Sequence, residues 1–136
     1  ATTPQTAISM DLAATALDAA GVMADPAHPL DGVSLLPTLA QPARVADRTL
    51  FWRMKHRDQR AVRDGTWKLL HQDGHRYLFD LSGDGRETVN LIDRHPAIAQ
   101  ALQARLEAWD ATMPPIPDDA HVDRLYPDGT LPRPTA

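Results

Sequence analysis

Residues 60–70 read RAVRDGTWKLL, and this stretch decides the fold. Strand-forming residues lie on both sides of Asp64 and Gly65, which predicts two β-strands joined by a tight turn. Asp-Gly is a strong hairpin signal because both central residues of a type I′ turn need a positive φ. We therefore predict an antiparallel hairpin at this pair.

Strand patterns continue on both sides of this hairpin. Residues 49–54 have a period of two and predict an earlier strand. Residues 76–81 predict a later strand, which follows a second Asp-Gly pair at Asp73 and Gly74. Together these segments predict a small antiparallel sheet of three to four strands with meander topology.

Helical patterns flank the strands, so the predicted fold class is α+β. Residues 9–20 predict a first helix, with Ser9 as N-cap and Gly21 as the residue that ends it. A second, amphipathic helix is predicted to begin at Pro96 and to pack its apolar stripe on one face of the sheet. That stripe consists of Ile98, Leu102, Leu106, Trp109 and Met113.

Composition narrows the class of protein. The chain has 136 residues, of which 43% are apolar and 24% charged, as is usual for a globular domain. No apolar run approaches the roughly 18 residues of a membrane span, so we expect no membrane partner. A net charge of −4 argues against a nucleic-acid partner. The absence of Cys excludes disulfides and a Cys nucleophile within this sequence.

Charge divides the sequence into three segments. Residues 1–47 carry a net charge of −4, residues 48–76 carry +5, and residues 77–136 carry −5. The basic middle predicts a local surface that faces an anion. Residues 114–136 hold six of the 12 prolines and no periodic pattern, so we predict an extended or disordered tail there.

Few residues form a pattern that could carry chemistry. Residues 80–85 imitate the start of a calcium-binding loop, but Leu91 stands at the twelfth position in place of the bidentate Glu, so we interpret them as a polar turn. The six His residues show no metal-ligand spacing, and no nucleophile motif occurs. We therefore predict neither a catalytic residue nor a metal site in this chain.

The segment 51–57, FWRMKHR, is rich in aromatic and cationic side chains. Such a cluster could bind an anionic sugar or a sulfate through charge-assisted hydrogen bonds and stacking. The alternative interpretation is a basic strand on a solvated face, with Trp52 in the core. The candidate substrate-pocket residues are Lys55, His56, Arg53 and Arg57.

Four segments, in this order, resemble parts of arylsulfatase-type sulfatases. Residues 8–21 and 30–37 (LDGVSLLP) are similar to a stretch late in the catalytic domain, although Ala14 stands where the family often has Pro. Residues 60–70 resemble the family's R-A-x-R-x-G-x-W-K hairpin. Residues 79–91, FDLSGDGRETVNL, resemble its D-L-x-x-D-P-x-E-x-x-N-L turn, with Gly in place of Pro. The bacterial group similar to arylsulfatase A and N-acetylgalactosamine-6-sulfatase fits best.

The resemblance implies a hydrolase of sulfate esters that uses calcium and a formylglycine made from a C/S-x-P-x-R motif. This sequence contains neither a C/S-x-P-x-R motif nor a set of calcium ligands. We therefore expect this chain to be the C-terminal portion of a sulfatase and to be inactive alone. Calcium and formylglycine would belong to an upstream alkaline-phosphatase-like domain.

The resemblance also implies a domain organisation. Residues 1–47 would be the end of the catalytic domain, so that the helix at 9–20 belongs to it. Residues 48–113 would form the C-terminal subdomain, and residues 114–136 a Pro-rich tail. This portion would supply structural packing and one loop of the substrate pocket.

The expected partners follow from this organisation. They are the upstream catalytic domain of the same protein and a sulfated small molecule or sugar, with self-association through the apolar helix at 9–20. An alternative of a different class remains, namely a stand-alone binding module whose basic strand face binds an acidic polymer or a protein.

Overall fold

The computed structural model describes residues 3–43 and 45–120. The chain divides into two compact units, one that ends at Arg48 and one that begins at Thr49. Residues 121–136, most of the predicted tail, lie outside the described residues. No helix of the described residues is long and apolar enough to cross a membrane.

The first unit contains two helices, α1 (Met10–Ala19) and α2 (Leu36–Ala40). The helix predicted at 9–20 is confirmed, and Gly21 follows it with a φ of 67°. Ser9 occupies the predicted N-cap position, but its backbone already has helical dihedral angles and its side chain makes no capping hydrogen bond. The Asp11 carboxylate instead accepts a 2.8 Å hydrogen bond from the Ile8 N–H.

The second unit is a four-stranded antiparallel sheet with one helix. The strands are β1 (Thr49–Met54), β2 (Gln59–Asp64), β3 (Trp67–Gln72) and β4 (His75–Asp80), and their order in the sheet is the order along the chain. Helix α3 (Pro96–Asp110) begins at the predicted proline. The α+β class and the meander are therefore confirmed.

The two Asp-Gly pairs form different turns. Asp64 pairs with Trp67, so the first turn consists of Gly65 and Thr66, and only Gly65 has a positive φ. This φ pattern is that of a type II′ turn, so the predicted type I′ turn is wrong here. Asp73 and Gly74 both have a positive φ, as a type I′ turn requires.

Helix α3 covers one face of the sheet. Val62, Leu69 and Leu78 face Leu102 and Leu106 of α3 and are at most 3% exposed. The rings of Phe51 and Trp109 stack on this core with centroids 5.1 Å apart. Met113, which was predicted to extend the apolar stripe, lies beyond the last helical residue.

Candidate functional site

The candidate residues lie at the connection between β1 and β2. This connection contains a short 3₁₀ turn, His56–Asp58, and is closed by the pairing of Met54 with Gln59. Arg57 and Asp58 both have a left-handed backbone, with φ values of 55° and 48°. Two consecutive left-handed residues let the chain reverse in a short loop, which places Lys55, His56 and Arg57 at one end of the sheet.

Arg53 is held by the end of α3. Its Nη1 donates to Asp110 Oδ1 at 3.1 Å, and its Nη2 donates to the carbonyl oxygen of Pro114 at 2.6 Å. The second oxygen of Asp110 accepts from Arg60 Nε at 3.1 Å. A single carboxylate therefore pairs with two guanidinium groups.

The charge of Asp110 is maintained by these partners. Burial alone would raise the pKa of Asp110, but the hydrogen bonds and charges of Arg60 and Arg53 outweigh burial and hold that pKa below its usual range. Asp110 is therefore ionised at neutral pH. Arg53, a predicted pocket residue, is consequently neutralised inside its own chain.

Lys55 binds the segment that follows α3. An ammonium group has three N–H donors and no acceptor. Here Lys55 Nζ lies within hydrogen-bonding distance of three backbone carbonyl oxygens, at 3.0, 2.5 and 3.0 Å, which are those of Pro117, Asp118 and Ala120. The donors of Lys55 are thus satisfied by residues 117–120 of the same chain.

Arg57 connects the loop to the neighbouring hairpin. Its Nε donates to Asp73 Oδ2 at 2.7 Å, and the Asp73 N–H donates in return to the Arg57 carbonyl oxygen at 2.9 Å. Asp73 is the first residue of the turn between β3 and β4. This reciprocal pair fixes the loop beside that turn.

His56 differs from the other three candidates. Its side chain is half-buried, and within residues 3–43 and 45–120 its ring makes no hydrogen bond or ion pair. An imidazole can donate from one nitrogen and accept at the other. Of the four candidates, His56 therefore has a polar group available to a ligand in the described structure.

The turn after β4 is held by backbone hydrogen bonds. The Asp84 carboxylate accepts from the N–H groups of Val89 and Thr88 at 2.9 and 2.7 Å. Asp80 accepts from the Ser82 N–H at 3.0 Å. These bonds lower the pKa values of Asp84 and Asp80, because they stabilise the ionised carboxylates. The segment is a polar turn, as interpreted from the sequence.

Residues of two different family-like motifs meet across this turn. Lys68 of the hairpin donates to both carboxylate oxygens of Glu87, at 2.7 and 2.8 Å. The Asn90 side-chain oxygen accepts from the Leu78 N–H at 2.9 Å. These motif residues hold the turn on the sheet and thereby stabilise the fold.

Asp11 has a comparable role in the first unit. It is fully buried and accepts from the Val33 N–H at 3.0 Å and from Arg48 Nη1 at 2.6 Å. Burial would raise the pKa of Asp11, but the hydrogen bonds from Arg48, Ile8 and Val33 lower it further than burial raises it. The carboxylate stays charged and connects Ile8, Val33 and Arg48 through hydrogen bonds.

His71 lies on the face of the sheet that α3 covers. Its Nε2 is 2.6 Å from Gln103 Oε1. Burial lowers the pKa of His71 most strongly, and the positive charges of Arg76 and Arg60 lower it further, against the opposing effects of Gln103 and Glu107. The neutral ring is therefore the form that the fold favours.

A groove lies on the opposite face of the sheet, and we call it the outer groove. It has a volume of about 340 Å³. Its polar or charged lining residues are Gln59, Arg60, Arg63, Lys68 and Glu87. Its apolar lining residues are Trp52, Met54, Ala61, Leu70 and Leu81. Trp52, which the sequence placed in the core under one interpretation, is half-buried in this groove.

The described residues bring no three His, Asp or Glu side chains together as ligands for a metal ion. They therefore do not fit the calcium that the resemblance implies. The calcium and formylglycine of the resemblance remain predictions for an upstream portion.

Comparison with solved structures identifies the fold. A Bacteroides thetaiotaomicron sulfatase from a locus for the metabolism of multiple glycosaminoglycans matches 79% of this chain with a TM-score of 0.63 and 21% identity. The structure of Ps i-CgsB matches 77% with a TM-score of 0.64 and 21% identity. A 2-O GAG sulfatase matches 74% with a TM-score of 0.57 and 24% identity.

The chain thus has the fold of one portion of bacterial sulfatases. It spans only about a quarter of the chains that it matches, namely 26%, 24% and 24%. The likeness agrees with the sulfatase resemblance and does not extend to the narrower arylsulfatase A type. No protein-family model matches the sequence, and no curated protein matches it.

Proposed function

We propose that this chain is the C-terminal portion of a sulfatase that hydrolyses sulfate esters. The observation that carries the proposal is its fold, shared with solved sulfatase structures over 74% to 79% of its length. The ordered motifs give independent support, because Lys68 and Glu87 of two different motifs form one ion pair. Its role is structural packing together with one loop of the substrate pocket.

Within that loop, His56 contacts the non-reacting part of the substrate. The substrate is a sulfated small molecule or sugar, and a neutral or protonated imidazole can donate to its oxygens. Lys55, Arg53 and Arg57 hold the loop and the segment after α3 through the contacts described above. Binding energy from such a remote part of a substrate serves to orient the reacting ester.

The proposal is tested on the longer product of the same gene. We expect that product to contain a C/S-x-P-x-R motif, to carry formylglycine by mass spectrometry, and to hydrolyse an aryl sulfate when calcium is present. The 136-residue chain alone should show no turnover, since it has no nucleophile of this type. Turnover by the repurified 136-residue chain, or a gene that encodes no such motif, would overturn the proposal.

The alternative, a binding module with a basic face, gains no support from the structure. Of the eight basic residues at 48–76, five form ion pairs with carboxylates of the same chain. They are Arg48, Arg53, Arg57, Arg60 and Lys68. Their charge is compensated internally, so little of it is left for an acidic polymer.

A further inference from the structure

Four basic residues form one row across the sheet, on the face that α3 covers. The register pairs Arg53 with Arg60, Arg60 with His71, and His71 with Arg76. Each of them is two positions along its strand from a residue that packs under α3, and side chains two positions apart in a strand share a face. Like charges on opposed residues of neighbouring strands repel each other, so the row needs compensation.

The compensation does not reach the β4 end of the row. Asp110 pairs with Arg53 and Arg60. Burial lowers the pKa of His71, so this ring adds little charge at neutral pH. Arg76 is exposed, and no carboxylate within residues 3–43 and 45–120 forms an ion pair with it. The guanidinium of Arg76 therefore keeps its charge available at the edge of the sheet.

Arg76 lines a pocket beside the start of α3, which we call the side pocket. Its volume is about 470 Å³, and small-molecule sites range over roughly 300–1,000 Å³. Ile92 and Pro96 provide apolar surface in it. Its polar or charged lining residues are His75, Arg76, Asp93, Gln100 and Gln103. The side pocket therefore combines apolar surface with a few polar groups, as ligand sites do.

One polar group of the side pocket is held in place by its own chain. Gln103 Oε1 lies 2.6 Å from His71 Nε2, and Gln103 Nε2 donates to Glu107 Oε1 at 2.6 Å. A side-chain amide has two N–H donors, so one donor of Gln103 remains after the bond to Glu107. This donor is positioned before any ligand binds, which lowers the entropic cost of binding.

The two charged side chains of the side pocket require different partners. A guanidinium group only donates, and it binds a carboxylate or a sulfate through parallel N–H bonds. The carboxylate of Asp93 only accepts; it is exposed and forms no ion pair within the described part of the chain. A simple anion would be attracted by Arg76 and repelled by Asp93. A ligand with both an anionic group and hydroxyl groups satisfies both side chains.

We propose that the side pocket is a binding site for an acidic sugar. The carboxylate or sulfate group of the sugar pairs with Arg76, and its hydroxyl groups donate to Asp93 and accept from Gln103. The C–H surface of the ring packs against Ile92 and Pro96. All of these residues belong to the second unit. The site carries out no reaction, so it goes beyond the proposed function and does not depend on it.

NMR titration of the 136-residue chain tests the proposal. Glucuronate and galactose 6-sulfate are the two probes, and they distinguish a carboxylate from a sulfate as the anionic group. Galactose lacks the anion, and inorganic sulfate lacks the hydroxyl groups. We expect an acidic sugar to shift the side-chain amide signals of Gln100 and Gln103. We expect it to bind at least about tenfold more tightly than galactose or inorganic sulfate, the effect of one charge-assisted contact.

Variants locate the binding. Arg76→Gln should weaken the acidic sugar at least about tenfold, because it removes the charge that pairs with the anion. Arg86→Gln is the matched control, since it makes the same change at an exposed Arg in the turn after β4; it should leave the affinity unchanged. Asp93→Asn should reduce the preference for the acidic sugar over inorganic sulfate, because it removes both the repulsion and an acceptor.

Three results would overturn the proposal. They are the absence of shifts with either acidic sugar at millimolar concentration, an equal effect of Arg76→Gln and Arg86→Gln, and binding of inorganic sulfate as tight as that of the sugars. The titration is repeated with the longer gene product, so a folding defect of the shorter chain does not decide the result. A longer product that binds glucuronate but has no sulfatase activity would remove the proposed function and leave the side pocket standing.

Discussion

Arg48 donates a 2.6 Å hydrogen bond to Asp11, whose carboxylate is fully buried. The two residues are 37 positions apart, and their side chains join the beginning of α1 to the end of the first unit. A buried carboxylate needs a partner of opposite charge, because desolvation otherwise penalises its ionised form. The first unit therefore depends on this pair.

Arg48→Met should strongly destabilise the first unit. The substitution leaves the charge of Asp11 buried with only two backbone N–H donors, and removal of one partner of a buried pair costs about 3–5 kcal/mol. The measurement is the free energy of unfolding in urea. Arg63→Met is the control, because within the described part of the chain the Arg63 side chain donates to the carbonyl oxygen of Gly65 and forms no ion pair. Equal stability of the two variants would show that Asp11 does not need its partner.

Gly32 tolerates no side chain. A Cβ at this position would lie 2.1 Å from the carbonyl oxygen of Met10, which is backbone and cannot move aside cheaply. We expect Gly32→Ala to lower the free energy of unfolding by about 1–3 kcal/mol, the usual cost of overpacking. Gly83→Ala is the matched control, since a Cβ there meets nothing within 4 Å. An unchanged free energy of unfolding in Gly32→Ala would contradict the close approach of Gly32 to the backbone of Met10.

Stability should fall as the pH is lowered through the range in which His71 would titrate. The folded pKa of His71 lies below its ordinary value of 6.5, so the unfolded chain takes up a proton first. The stabilisation is present above pH 6.5 and is lost as the pH falls through the folded pKa. Thermal unfolding between pH 7.5 and pH 5 measures this slope, with ~0.5-unit steps.

Two variants test whether His71 causes this change of stability with pH. His71→Gln should reduce it, because Gln does not titrate. His75→Gln, at an exposed His of β4, is the matched control. An undiminished slope in His71→Gln would assign the pH dependence to other groups.

His56→Ala should affect kinetics and leave stability intact. In the longer gene product we expect kcat/KM on the natural sulfated substrate to fall about tenfold, which corresponds to one polar contact of about 1.4 kcal/mol. The free energy of unfolding should change by no more than about 0.5 kcal/mol, as at most loop positions. Lost stability with unchanged kinetics would instead make His56 a structural residue.

Lys55→Ala should release the segment after α3. The substitution removes the donors for three carbonyl oxygens, so limited proteolysis between residues 114 and 120 should become faster. A fall in kcat/KM of about tenfold is expected as well, because the loop loses its anchor. Arg63→Ala, which contacts none of these carbonyls, is the control. Unchanged proteolysis would show that Lys55 does not hold the segment.

The fold was predictable because its strands and turns each have a pattern within a few consecutive residues of the sequence. Alternation around Trp67 and Leu69 gives the strands, and the two Asp-Gly pairs give the hairpins. The turn type at Gly65 was not predictable, because it depends on a register that pairs Asp64 with Trp67. A shift of one residue in that register changes which residues form the turn.

The hydrogen-bond partners of the candidate site residues were harder to predict from the sequence than the strands. The helical period of α3 places Trp109 in the core, but it does not show that Asp110 reaches Arg53, 57 positions away. Likewise, no local pattern links Lys55 to carbonyl oxygens more than 60 positions away. The only sequence signal for these contacts was the distribution of charge, in which two acidic segments flank a basic middle segment.

The order of the strands also affects the kinetics with which the sheet folds. Each strand pairs with its neighbour along the chain across a connection of two to four residues. Closing such short loops costs little entropy, and hairpins form in about 1–10 μs. Arg48 must instead find Asp11 across 37 positions. The meander therefore has the low contact order of a rapidly folding segment, and its strand pairing does not wait for the first unit.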